Sequence, residues 1–163
     1  MLRPDNLIII NDPNLIPKYF EKERDIVREV GNTLELNNVI LTYKEVAKPS
    51  KSLPTKTDEE ERDWLYKEID YAILKLEKDR NTRQAIVYNL HDSGLDHNCL
   101  NLFHFYFRED CLHLNVYVRS MNYDANFEND LYTINILLNK ACNELMCDKG
   151  QMVVFIMSLH RFK

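Results

Sequence analysis

Between Cys99 and Ser120 the chain alternates apolar and polar residues with a period of two, on either side of Arg108-Glu109-Asp110-Cys111. Alternation of that length, rich in Phe, Tyr, Val and Leu and interrupted once by a short polar run, is the pattern of an antiparallel hairpin. It predicts strands over Cys99–Phe107 and Leu112–Ser120. Each strand then has an apolar side that must be covered, and two segments at helical spacing are available to cover it. The first opens at Thr57-Asp58-Glu59-Glu60, which reads as a capping box with acid at the positive end of a helix dipole. It carries Leu65, Ile69, Ala72, Ile73 and Leu76 and runs to about Lys78. The second runs from Phe127 to Leu145, with Leu131, Ile134, Leu138, Ala141 and Leu145 on one side. Further strands are expected over Leu34–Tyr43, Ala85–Tyr88 and Gln151–Ser158, and Lys44–Lys56, with Pro49 and Pro54, reads as loop. Pro17–Val30 reads as a helix, with Pro in its first turn and Gly31 just past its end. Strands and helices interleave irregularly, so the expected fold class is α+β, with helices laid on a mixed or antiparallel sheet. The 163 residues suffice for one domain spanning 1–163.

Composition narrows the function. A content of 45% hydrophobic and 29% charged residues is that of an ordinary globular chain, and only three glycines argue against low complexity. No apolar run approaches the roughly 20 residues of a membrane span, and no basic-then-apolar leader opens the chain. A cytoplasmic protein is therefore expected, with Cys99, Cys111, Cys142 and Cys147 as reduced thiols. Their spacing fits no zinc site, so no metal is expected. A net charge of −5 gives no electrostatic reason to bind a polynucleotide. A small anion needs only two or three well-placed arginines, which favours a mononucleotide.

Cys99 opens the first hairpin strand and Arg119 ends the second. In register, the guanidinium projects toward the strand start that carries the thiol, and a neighbouring cation is what a nucleophilic cysteine requires. The plain alternative is a buried structural thiol, since free Cys is among the most buried residue types. His91, His97, His104 and His113 fit no ligand or triad pattern.

Several strings, taken in order, carry a resemblance. They are Thr82-Arg83-Gln84, Asn98-Cys99-Leu100-Asn101, Val118-Arg119-Ser120, Glu128-Asn129-Asp130-Leu131 and Ser158-Leu159-His160-Arg161-Phe162. Together they resemble the nucleotide-binding half of the thymidylate synthase and pyrimidine hydroxymethylase superfamily. The match is clearest over 81–162 and fainter over 28–43, where Arg28 to Glu35 resembles the family's N-terminal phosphate loop. The resemblance implies a mixed sheet with helices, paired back to back in a homodimer. It implies Cys99 as the nucleophile that adds to C6 of a pyrimidine, and Arg119, Ser120 and Arg28 as phosphate ligands. Arg83 would reach the phosphate in the partner subunit, and His160 would hold the ribose 3′-hydroxyl. Its usual companion tyrosine is Phe162 here.

Asp130 falls where uracil-using members carry asparagine and cytosine-using members carry aspartate. The physics supports that swap. An amide matches the N3–H donor and O4 acceptor of uracil. A carboxylate accepts from the N4 amino group of cytosine and from N3–H once the ring is protonated during C5 activation. The plain alternative is an acid favoured by the helix dipole. Other positions depart from the family. Its acidic folate contact is Asn122, its loop glycine is Asn126, and the proline before the base-reading position is Glu128. The insertion carrying a catalytic glutamate and tryptophan ahead of the Trp64 helix is missing, and the chain stops one residue past Phe162. The resemblance thus implies 5,10-methylenetetrahydrofolate as donor while the residues for it are eroded.

The leading expectation is a pyrimidine C5-transferase that hydroxymethylates dCMP or CMP, as a homodimer. The rivals are a nucleotide-binding pseudoenzyme and a structural or interaction dimer. The Asn-, Lys- and Asp-rich composition is that of phage or other AT-rich genomes, so a virus-encoded protein in the host cytoplasm is also expected.

Overall fold

The computed structural model describes residues 7–22, 27–46, 48–49, 56–90 and 99–163. Strand β1 (Ile8–Ile10) leads through a 3-10 turn into helix α1 (Ile16–Lys22). Strands β2 (Val27–Val30) and β3 (Thr33–Tyr43) follow, then helix α2 (Lys56–Lys78) and strand β4 (Ile86–Tyr88). Next come β5 (Leu100–Arg108) and β6 (Cys111–Asn122), helix α3 (Phe127–Glu144) and β7 (Asp148–Phe162). One seven-stranded sheet runs β1-β3-β7-β6-β5-β4, with β2 paired to β3 beside that path. The β1–β3 and β6–β7 pairs are parallel and the others antiparallel. The fold is therefore α+β with a mixed sheet, as expected.

The hairpin closes through Glu109 and Asp110, both at positive φ (51° and 62°). Two such central residues give the turn whose twist matches that of the flanking strands. The long helices lie where the periodicity put them, although α2 opens at Lys56, one residue ahead of the expected cap at Thr57, whose side chain lies outside the described residues. The loop expected over Lys44–Lys56 is irregular at 44–46 and 48–49, and its other residues before α2 lie outside the described set.

The helix expected over Pro17–Val30 is a correction. Among the described residues of that span, helix ends at Lys22, and Val27–Val30 is a strand that pairs with Thr33–Leu36; residues 23–26 lie outside the described set. Gly31, at φ +56°, does not end a helix; it turns a hairpin with Asn32. Gly-Asn between two Val- and Leu-bearing runs is itself a hairpin signal, and the pairing energy of β3 decides for it. The last strand also exceeds the expected Gln151–Ser158 by several residues at each end. The three-residue β1 went unforeseen because so short a run has no period to read.

Helices α2 and α3 pack against each other and cover one face of the sheet. Beneath them lie Val39 and Leu41 of β3, Val154 and Ile156 of β7, and Val116 and Val118 of β6, none more than 1% exposed. Full burial of such side chains contributes about 1.5–3 kcal/mol each, against about 1 kcal/mol net for a ladder hydrogen bond. Side-chain burial, more than backbone bonding, therefore fixes the register. The opposite face carries an unbroken apolar row in which each residue is the cross-strand partner of the next: Ile9, Ile40, Phe155, Tyr117, Leu102 and Tyr88. Tyr117 and Phe155 stack with centroids 4.9 Å apart, yet Ile9, Tyr117 and Tyr88 remain 57%, 47% and 58% exposed.

Between β6 and β7 the register shifts where Leu112 pairs with Lys149 but Leu114 pairs with Met152. One residue of β6, His113, thus faces Gly150 and Gln151 of β7, which is a β-bulge. His113 Nδ1 accepts the backbone N–H of Gln151 at 3.1 Å, and its ring occupies the space a side chain at 150 would need. A Cβ built on Gly150 would lie 2.5 Å from His113 Cδ2. Gly150→Ala is expected to destabilise the fold by about 1–3 kcal/mol, and adding His113→Ala should recover part of that loss. Urea midpoints of the single and double variants check this; a double variant no more stable than Gly150→Ala alone would exclude the steric cause.

Candidate functional site

Toward one end of β3, β7 and β6 the helix-covered face turns from apolar to polar. Beyond Val39, Ile156 and Val118 the ladder skips Asn38, Met157 and Arg119, with Asn38 at φ +55°, and then resumes with Asn37, Ser158 and Ser120, which are cross-strand partners in one row. The next row holds Arg28, Glu35, His160 and Asn122, again each opposite the next. Direct cross-strand partners share a face, with Cβ atoms roughly 4.5–5.5 Å apart, so these side chains form a continuous polar grid. Ser158 Oγ donates a hydrogen bond to Glu35 Oε1. Ser120 Oγ and His160 Nδ1 lie 3.3 Å apart.

Cys99 immediately precedes β5. The backbone N–H of Arg119 donates to the Cys99 carbonyl at 2.9 Å and to Asn101 Oδ1 at 3.0 Å. The Arg119 guanidinium Nη2 stands 3.8 Å from Cys99 Sγ. The register between β5 and β6 shifts between Leu100 and Leu102, so Asn101 is the extra residue of a second bulge, beside the thiol. The expected approach of Arg119 to Cys99 is thus present. Arg119 and Ser120, consecutive in β6, thus carry the thiol–guanidinium pair and the hydroxyl–imidazole pair respectively.

Asp130 sits in the first turn of α3, half-buried, its backbone N–H bonded to the Asn126 carbonyl at 2.8 Å. It lines a small, partly open cavity of about 20 Å³ together with Asn129, Glu61, Arg62 and Leu100, the neighbour of Cys99. That volume holds about one water molecule. Tyr43, at the end of β3, is buried, and its hydroxyl has no hydrogen-bond partner among the described residues. Burial, reinforced by the negative charge of Asp130, pushes that hydroxyl well above the ordinary phenol range. Arg28 is exposed on β2, at the open end of the grid. Arg83 is exposed on the turn between α2 and β4, away from the grid.

Sequence reasoning did not find Glu35, Asn37 and Ser158, because only strand register places them beside His160 and Ser120. It also passed over Glu61, whose Oε1 accepts a hydrogen bond from Asn89 Nδ2. Of the histidines read as incidental, His91 and His97 lie outside the described residues. His104 and His113 are on the sheet, both held below the usual imidazole range chiefly by burial, to which the charge of Arg108 adds at His104. Among the described residues no cluster of His, Cys, Asp or Glu is arranged to hold a metal.

No protein-family model matches the chain, and no curated protein matches it in sequence. Among solved structures its fold is similar to that of the thermostable thymidylate synthase A from Bacillus subtilis. The TM-score is 0.70 over 91% of this chain and 78% of that one, at 16% sequence identity. At that identity the likeness is one of fold, and the expected thymidylate synthase-like fold is what the chain has.

A guanidinium beside a sulfur favours its ionised form. By contrast, burial pushes the Cys142 thiol up to about 12 and also raises Cys147. Iodoacetamide at neutral pH should therefore label Cys99 well before Cys142 or Cys147. Arg119→Gln should slow Cys99 labelling by about an order of magnitude, read by peptide mass spectrometry. Unchanged labelling in Arg119→Gln would show that the guanidinium does not act on the thiol.

Proposed function

We propose that the chain is a pyrimidine nucleotide C5-transferase that acts on a cytidine-type monophosphate, as a hydroxymethylase, and works as a homodimer. The observation that carries this reading is the Cys99–Arg119 contact at 3.8 Å, at the open end of the hairpin in a thymidylate synthase-like fold. Arg119, Ser120 and Arg28 would take the phosphate, joined by Arg83 of the partner subunit, and His160 would hold the sugar. Cys99 Sγ would add to C6 of the pyrimidine, and the C5–C6 π pair would move to C5, leaving it nucleophilic. Asp130 would accept hydrogen bonds from N4 and the protonated N3, stabilising the charge that builds on the ring.

The positions that the resemblance assigns to folate do not fit a folate. Asn122 carries no charge, and its Oδ1 accepts the backbone N–H groups of Asp124 and Ala125 at 3.0 and 3.3 Å. Asn126 carries a side chain where the family has none and stands at the start of α3. The same observation favours a second reading, nucleotide binding without one-carbon transfer.

Support for the dimer is the apolar row from Ile9 to Tyr88, since apolar surface this continuous marks an interaction face. A sheet face needs a flat, self-complementary cover, and a second copy about a two-fold axis supplies one. Phe155→Glu should convert dimer to monomer in sedimentation. Association unaffected by a charge at the middle of the row would remove the face from the interface.

Exchange at C5 tests the chemistry without any donor. Sγ adds to C6, C5 gains a solvent proton and loses its own, and Sγ leaves, so tritium is released to water. Cys99→Ala should abolish that release while nucleotide affinity stays within about tenfold, or ~1.4 kcal/mol. Release that persists in Cys99→Ala returns the residue to the role of core thiol. Wild-type binding without release selects the second reading. Asp130→Asn should move the preference from cytosine toward uracil nucleotides, because losing one charge-assisted hydrogen bond costs roughly 1.5–3 kcal/mol. Dissociation constants for dCMP and dUMP decide it. Equal weakening of both would leave Asp130 as a helix-terminal acid alone.

A further inference from the structure

The polar grid contains a carboxylate where a site built only for a phosphate has no use for one. Glu35 stands between Arg28 and His160, the direct cross-strand partner of each. Its simplest explanation, a cross-strand ion pair with Arg28, is not what the structure contains. Among the described residues the bond to Glu35 comes from Ser158, which occupies Oε1. An ionised carboxylate accepts and never donates, and its two oxygens offer about four acceptor sites. Oε2 therefore retains acceptor capacity on the grid, next to the imidazole of His160. The Nδ1 side of that imidazole faces Ser120, which leaves Nε2 for a ligand. A carboxylate beside an imidazole matches a pair of neighbouring hydroxyl groups, one donating to each.

We infer that Glu35 is a specificity-determining residue for the sugar: with His160 it takes the vicinal 2′,3′-diol of a ribonucleotide, so cytidine monophosphate is bound in preference to its 2′-deoxy counterpart. This rests on the nucleotide reading above and adds the identity of the sugar. The 2′-hydroxyl donates to Glu35 Oε2, and the 3′-hydroxyl bonds His160 Nε2. Ser158, by engaging Oε1, fixes the carboxylate rotamer so that the second oxygen is presented without further ordering. A deoxyribose leaves Oε2 with no donor, and an acceptor desolvated without a partner disfavours the complex. Recognition of a ribose hydroxyl by a single acid on a strand is a general solution where nucleosides are discriminated.

Isothermal titration of the full-length protein with cytidine monophosphate, 2′-deoxycytidine monophosphate and the 2′-fluoro-2′-deoxy analogue tests the assignment. The fluoro analogue keeps the size at C2′ and removes only the donor. Wild type should bind the ribonucleotide about tenfold or more tightly than either of the others. Glu35→Gln should bring the ribonucleotide toward the level of the deoxynucleotide while leaving the deoxynucleotide within about twofold. Ser158→Ala, which retains the carboxylate, should keep the ribose preference. Equal wild-type affinity for the ribo and deoxy forms, or ribo-like affinity for the fluoro analogue, overturns the assignment while the nucleotide reading stands. A Glu35→Gln variant that loses all ligands in proportion reduces Glu35 to a partner of Ser158. Should Glu35→Gln fail to fold, the fluoro comparison on wild type decides alone. Failure of wild type to bind any of the nucleotides overturns both readings together.

Discussion

The pairing of β7 with both β3 and β6 is the constraint on which the rest of the molecule depends. Strand β3 lies near the start of the chain and β6 near its end, and β7 alone joins them, antiparallel on one side and parallel on the other. Its own residues Met152, Val154 and Ile156 supply the middle of the buried layer under α2 and α3. Because β7 is also the last element, its contacts with β3 span more than a hundred residues of sequence. Loop-closure entropy must be met before those contacts stabilise anything, so this topology places late, non-local pairing at the centre of folding. The hairpin β5–β6 can form locally, but its apolar face is not covered until the helices and β7 arrive.

The same strand also determines where a site can exist. Helices cover only part of the sheet, and where they stop, a face that has been Val, Leu and Ile becomes Asn, Ser, Glu and His. The register is the same on both sides of that point, although the ladder skips Asn38 and Met157, where Asn38 takes φ +55°. The polar end is thus a rigid platform, held by the same bonds that hold the core. The start of α3, with Asp130, and the start of β5, with Cys99, stand at its border. Side chains that need fixed geometry are placed on strands and a helix terminus, and the irregular backbone is left to the segments around them.

Much of this was legible in the sequence, for identifiable reasons. The hairpin and both long helices announced themselves because their apolar periods of 2 and 3.6 extend over many residues. The hairpin turn brings the start of β5 beside the end of β6, which made a meeting of Cys99 with Arg119-Ser120 legible, but the turn alone sets Ser120 opposite Cys99, and it is the bulge at Asn101 that brings Arg119 there. Pro17–Val30 misled because Gly31 fits a helix end and a hairpin turn equally well as a local signal, and only β3 distinguishes them. Glu35 and Ser158 were illegible for a different reason: they are far apart in sequence and meet through the β3–β7 register, which no local window contains. The exposed apolar row was invisible for the same cause, since each of its residues comes from a different strand.

Because side chains alternate along a strand, β7 serves both surfaces at once: Phe155 points toward the apolar row, while Ser158 and His160 point into the grid. That economy makes the register a matter of function as well as stability, since a slip of one residue would exchange the two sets. The bulge at Gly150 controls it against β6. Ahead of the bulge Leu112 faces Lys149; beyond it, the extra residue in β7 brings Ser120 opposite Ser158 and Asn122 opposite His160. Without that insertion Ser120 would face Met157, and the imidazole would lose its place in the row with Asn122. A glycine is needed because the His113 ring fills the side-chain space at that position and accepts the next N–H. A packing requirement near the hairpin turn therefore sets, several residues away, which side chains share the polar end of the sheet.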